Sequence, residues 1–176
     1  MRMLISILMK YLVTVLSLLV AVASAIGAQT AVNSRVTEFA LQDQFDNRPV
    51  NIRQYEGKIV VIIASDREGI DQNDKWENAI LQRNGNNLVL LRVADVRGVP
   101  TEWWKNRIKM KFQETKRSIL LDWDGVIFGR YGLTKNVSNL ILIDRRGYIR
   151  FICSGAATNA TQDQLFNEIN KLESSR

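Results

Sequence analysis

The run Lys58-Ile59-Val60-Val61-Ile62-Ile63-Ala64 constrains this chain more than any other stretch. After Lys58 it is apolar at every position, so a strand built from it has two apolar faces and both must be covered. It breaks into the polar Ser65-Asp66-Arg67-Glu68-Gly69. Asp71 to Arg83 then reads as a helix, with Asp71 as its N-cap, Asp74 three residues on, and Trp76 and Ile80 on one face. Asn84-Gly85-Asn86-Asn87 stops it, and Leu88 to Val96 forms a second buried strand. Strand, helix, strand in this order predicts a parallel pair with a crossover helix, and hence an α/β fold.

The flanking segments fill out the pattern. Phe39 to Asp43 and Asp46 to Ile52 read as two short strands joined by a turn. Glu102 to Phe112 fits a helix through Trp104, Ile108 and Phe112, and fits a strand through the alternation from Ile108 to Phe112. Pro100 just ahead of it favours the helix. Two hairpins are expected next. One joins Ser118–Leu121 to Val126–Phe128 through Asp122-Trp123-Asp124-Gly125, and the other joins Leu140–Ile143 to Tyr148–Ile152 through Asp144-Arg145-Arg146-Gly147. A last helix over Thr161–Leu172 turns Leu165, Ile169 and Leu172 inward.

The first 28 residues stand apart. Arg2 and Lys10 are positive, Tyr11 to Val22 is almost wholly apolar, and Ala23-Ser24-Ala25 supplies small residues. This predicts a secretory signal peptide over 1–28, cut after Ala25 or Ala28. Left uncut, Met3 to Ala28 would reach across a bilayer as an anchor. Residues 29–176 read as one domain, periplasmic or secreted. With 46% hydrophobic and 24% charged residues, the composition is that of a globular chain and argues against disorder over most of the length.

The residue inventory excludes several chemistries. Dropping Arg2 and Lys10 from 24 basic residues leaves 22 against 18 acidic ones, a mildly basic balance and no sign of nucleic-acid binding. There is no histidine, which removes histidine bases, Cys-His nucleophile pairs and histidine metal sites. A single cysteine, Cys153, forms no internal disulfide. Asp122, Asp124 and Asp144 lie in turns where Asp is expected and lack the spacing of a calcium loop. No glycine-rich phosphate loop is present. No metal and no cofactor are therefore expected.

Phe39-Ala40-Leu41-Gln42-Asp43 followed by Tyr55-Glu56-Gly57-Lys58 and the apolar strand resembles the opening of a redoxin-type domain of the thioredoxin-like superfamily. Leu121-Asp122-Trp123-Asp124-Gly125, Tyr131-Gly132-Leu133 and Leu142-Ile143-Asp144-Arg145-Arg146-Gly147-Tyr148-Ile149 resemble its second half. The likeness covers about residues 36 to 172, and more narrowly it is to the periplasmic YtfJ-type branch. It implies a thioredoxin-like fold, a central mixed β-sheet flanked by helices. It also implies a Cys-x-x-Cys or a peroxidatic cysteine where the long strand meets its helix, since a helix N-terminus and nearby cations stabilise a thiolate. That window is Ala64-Ser65-Asp66-Arg67-Glu68-Gly69-Ile70, which has no sulfur. The family's cis-proline falls on Ser138, and Gly98-Val99-Pro100-Thr101 imitates that motif at the wrong place.

Three functional readings follow. In the first, the fold persists without its dithiol as a binding or assembly module of the cell envelope. Ser65, Asp66, Arg67 and Ser138 then form a recognition surface for a protein or peptide partner. Against it stands the simpler reading in which Asp66, Glu68 and Asp71 favour the positive helix end and Arg67 is solvated or paired. In the second reading, Cys153 alone carries thiol or peroxide chemistry. The alternation of Ile149, Phe151 and Cys153 instead predicts a buried or half-buried structural thiol. In the third, the cationic stretch 102–117, with Lys105, Arg107, Lys109, Lys111, Lys116 and Arg117, meets an anionic envelope surface with Trp103 or Trp104 at the interface.

Overall fold

The computed structural model describes residues 32–84 and 87–175, so the expected signal peptide and part of the Asn84–Asn87 stop lie outside the described residues. Five strands make the central sheet: β3 (Val60–Ser65), β4 (Val89–Asp95), β5 (Leu120–Asp122), β6 (Asn139–Ile143) and β7 (Ile149–Ser154). Their order is β5-β4-β3-β6-β7. β3, β4 and β5 run parallel, whereas β6 is antiparallel to both β3 and β7. β1 (Ala40–Leu41) and β2 (Val50–Asn51) form a separate small antiparallel pair.

Every residue of β3 is buried, as its unbroken apolar sequence requires. Its two sets of side chains enter two cores. Val60, Ile62 and Ala64 join Phe39, Leu41, Ile52 and the helix α3 (Val126–Tyr131) on one face of the sheet. Ile59, Val61 and Ile63 join α1 (Asn73–Asn84) and α4 (Asn159–Ser174) on the other, where Trp76, Ile80, Leu165 and Ile169 are all fully buried. The remaining helix, α2 (Glu102–Gln113), carries no buried residue. It rests through half-buried Phe112 on a small cluster of Ala94, Ile119 and Leu121 at the β4–β5 flank.

Several expectations need correcting. Asp71 caps no α-helix: it lies inside the 3-10 turn Ile70–Gln72 that leads into α1. Val126–Phe128 is no strand, because Asp122 accepts the backbone N–H groups of Val126 and Ile127 at 2.8 Å each and so starts α3. Ile149 does not share a face with Phe151 and Cys153. Ile149 and Phe151 pair with the adjacent residues Ile143 and Leu142, so Arg150 is a bulge that rotates the strand between them.

Residues 33 to 43 run along both borders of the sheet. At the β7 border, Asn33 donates to the Ile149 carbonyl at 2.7 Å and Ile149 to that of Ser34 at 2.9 Å. At the β5 border, Leu121 donates to the Gln42 carbonyl at 2.9 Å and Asp43 bridges to Leu120.

Candidate functional site

In an open α/β sheet, the loops beyond the carboxyl ends of the parallel strands are where a ligand would meet the fold. Here those loops follow Ser65 of β3 and Asp95 of β4, next to the loop that enters β6. Ser65 and Ser138 are both fully buried, and both turn inward. The Asn73 amide nitrogen donates to the Ser65 hydroxyl at 2.8 Å, and the Ser138 hydroxyl donates to the Asn73 amide oxygen at 2.7 Å. The Ser138 backbone N–H donates in addition to Gln72 Oε1 at 3.3 Å, a bond that proline could not make.

The next layer outward is tied as firmly. Asp66 accepts from the Gly69 N–H at 3.0 Å and the Asn136 N–H at 2.8 Å, so its carboxylate holds two loops together and does not cap a helix. A Cβ on Gly69 would lie 2.5 Å from the Val137 carbonyl carbon and oxygen, so only glycine allows this approach. Asn139 is also fully buried. Its side-chain nitrogen donates to the carbonyls of Ala64, Thr134 and Val137, and its oxygen accepts from Thr134 N–H and Ser154 Oγ. The sheet end is closed by polar bonds spanning β3, α1 and the β6 loop.

Of the four residues expected to recognise a partner, Ser65 and Ser138 are thus committed to Asn73 and Asp66 to backbone. Arg67 differs. It is exposed and has no hydrogen bond and no carboxylate within 4.0 Å among the described residues. It borders an open groove of about 1320 Å³ between the Asp66–Asp71 loop and α2, lined by Ile70, Val96, Val99, Trp104 and Phe112 among others. Arg97 edges the same groove, where Asp95 engages it through both carboxylate oxygens. These bonds raise the Arg97 pKa against the effect of burial and keep it charged.

Sequence reading missed Asn73, Gln72, Gly69 and Asn139. Asn139 at the head of an apolar strand was the one visible signal, since a buried amide there needs partners. Asn73 sits in a polar run with nothing to mark it.

Cys153 lies on β7, opposite Leu140, and packs half-buried on the α1/α4 core. Burial pushes its thiol from 9.0 up to about 12. Arg150, three residues earlier, is held by Asp144 at 2.7 Å and by Asn33 at 2.8 Å. Among the described residues, no group of three or more acidic, cysteine or histidine side chains is arranged to hold a metal ion.

No protein-family model and no curated protein matches the sequence. Solved structures do resemble the fold. The pneumococcal exposed lipoprotein thioredoxin Etrx1 from Streptococcus pneumoniae superposes with a TM-score of 0.60 at 17% identity, over 77% of this chain and 100% of its own. A putative thiol:disulfide interchange protein DsbE from Chlorobium tepidum gives 0.58 at 18% identity, over 80% and 96%. An uncharacterized conserved protein from Geobacillus kaustophilus gives 0.62 at 13%, over 82% and 83%. The chain therefore has a thioredoxin-like fold, with the Ser65–Asn73–Ser138 bridge closing the end of its sheet.

Proposed function

We propose that this protein is an exported thioredoxin-fold module that acts by binding and carries out no thiol chemistry. It presents the groove beside Arg67 to a protein or peptide partner. The observation that carries this reading is the Ser65–Asn73–Ser138 bridge. At the strand-to-helix junction where the fold's thiol chemistry would be housed, there is no sulfur, and the two serines spend their hydroxyls on the Asn73 amide. The groove exceeds the usual volume of a small-molecule site, about 300–1,000 Å³, and suits a peptide segment. Export rests on the N-terminal charge and apolar pattern. The description of the pneumococcal neighbour as an exposed lipoprotein agrees with it.

The competing reading, redox chemistry at Cys153, needs an accessible thiolate. A thiol near 12 holds about a thousandfold less thiolate at neutral pH than one near 9. Alkylation of the native chain at neutral pH, followed by intact mass, is expected to run at least about a hundredfold slower than in denaturant. Peroxide is expected to leave the mass unchanged. Rapid oxidation, or a dimer joined through Cys153, overturns the binding reading. A photo-reactive residue at Arg67 is expected to crosslink a protein partner in cells, while one at exposed Asn170 on α4 does not. Equal crosslinking at both positions overturns the groove as the site.

A further inference from the structure

α2 is the one helix of its length that buries none of its residues, and it is also where the molecule exposes its large apolar side chains. Trp103 is 59% exposed, Trp104 47% and Met110 68%. Phe45, 41% exposed, lies against the other side of the helix. Gln44 on one side of Phe45 is bonded to Phe112 and Gln113, and Asp46 on the other is paired with Lys109 at 2.6 Å. Leu81 is the only other large hydrophobic residue this exposed among the described residues. Three of the five thus sit on this one helix, too concentrated for the scattered exposure of an ordinary surface.

The helix orients them outward. Trp103, Arg107 and Met110 follow one face at i, i+4 and i+7, and Trp103 lies nine residues before Phe112, about 180° round the helix from its core contact. The cations of this face are unspent. Lys105 is paired with Glu102 and Lys109 with Asp46, whereas Arg107 and Lys111 have no carboxylate within 4.0 Å among the described residues. The Arg107 guanidinium instead lies 5.4 Å from the Trp103 ring centre and 6.0 Å from that of Trp104. The two indoles meet edge to face at 4.8 Å. Glu114 is the acid nearest in sequence on that face.

We infer that the outer face of α2 is a docking surface for an anionic phospholipid membrane. An exposed row of indoles and a thioether flanked by cations without carboxylate partners matches an interfacial helix. Its rings sit at headgroup depth and its cations meet lipid phosphates. Trp103, Trp104, Arg107, Met110 and Lys111 also border the groove beside Arg67, so the two readings meet on one surface, and the Arg67 crosslink and the vesicle test tell them apart.

The test uses the full chain with vesicles of phosphatidylcholine alone and of phosphatidylcholine mixed with phosphatidylglycerol. Some lipids carry brominated tails that quench nearby tryptophan. The N-terminal apolar segment can add association of its own, but it contains no tryptophan. Quenching is expected on the mixed vesicles, to fall as salt is raised, and to be lost in Trp103→Phe/Trp104→Phe. Arg107→Glu/Lys111→Glu, at exposed positions, is expected to weaken the anionic-lipid-dependent binding at least about tenfold. Equal quenching on neutral vesicles, or binding that neither pair of substitutions alters, overturns the proposal. Binding of poly-glutamate through Arg107 and Lys111 without vesicle quenching also overturns it and reassigns the face to an acidic protein.

Discussion

Asn73 is the residue on which the candidate site turns. Its amide uses a donor for Ser65 and an acceptor for Ser138, and both serines are fully buried. Removing the amide strands two hydroxyls away from water, where each unpaired polar group costs about 1–3 kcal/mol. Asn73→Ala is expected to lower stability by about 2–4 kcal/mol in urea unfolding. In a Ser65→Ala/Ser138→Ala background the same change is expected to cost less than about 1 kcal/mol, because nothing polar is left stranded. An equal cost in both backgrounds would show that Asn73 acts through something other than this bridge. Position alone singled out Ser65, Asp66, Arg67 and Ser138 in the sequence. Their partners were not legible there, because the Asn73–Ser138 bond joins residues 65 apart and neither type advertises a mate at that range.

At the scale of elements, two similar turns diverge. Asp122-Trp123-Asp124-Gly125 and Asp144-Arg145-Arg146-Gly147 both place Asp three residues before Gly, yet only the second closes a hairpin. There Asp144 accepts from the Arg146 and Tyr148 N–H groups at the turn. In the first, left-handed Gly125 (φ 68°) redirects the chain so that Asp122 caps α3 with both oxygens. The period of the following residues held the answer. Ile127, Phe128 and Tyr131 are spaced as one helical face and all three are buried, whereas a strand would have turned alternate residues inward. The long strands, α1, α2, α4 and the second hairpin were readable because their patterns run long enough to show a period. Asp122→Ala is expected to destabilise the protein by about 2–3 kcal/mol, and Asp122→Asn, which keeps one acceptor, by roughly half that. Thermal unfolding checks the ranking, and an Asn variant costlier than the Ala variant would contradict the double cap.

For the whole molecule, pH is the informative variable, since no histidine titrates near neutrality. Burial pushes the Glu77 carboxyl up, but the bonds and charges of Arg92 and Arg117 outweigh it and hold it below the usual glutamate range. Asp144, against Tyr148 and Arg150, and Asp43, against Asn47 and Ser118, are lowered in the same way despite burial. A lowered carboxylate gives stability that is complete above its unfolded value and is lost as pH falls through the folded one. The melting temperature is therefore expected to be flat from about pH 5 to 8 and to fall below about pH 4.5. It is also expected to fall above about pH 9, where an unfolded Cys153 ionises and the buried thiol does not. A midpoint near pH 6 in thermal scans would contradict this account. The parallel pair and the antiparallel hairpin were legible from alternation and turns. Their assembly into β5-β4-β3-β6-β7 was implied by resemblance alone, because strand order depends on contacts that no local window contains.

The segment from Asn33 to Asp43 pairs with the chain at the start of β7, at Tyr148 and Ile149, at one border and with Leu120 and Leu121 of β5 at the other. A sheet with open borders is a template on which further copies can add strand by strand. One short length of backbone here covers part of both borders, so its detachment would lengthen two open edges together.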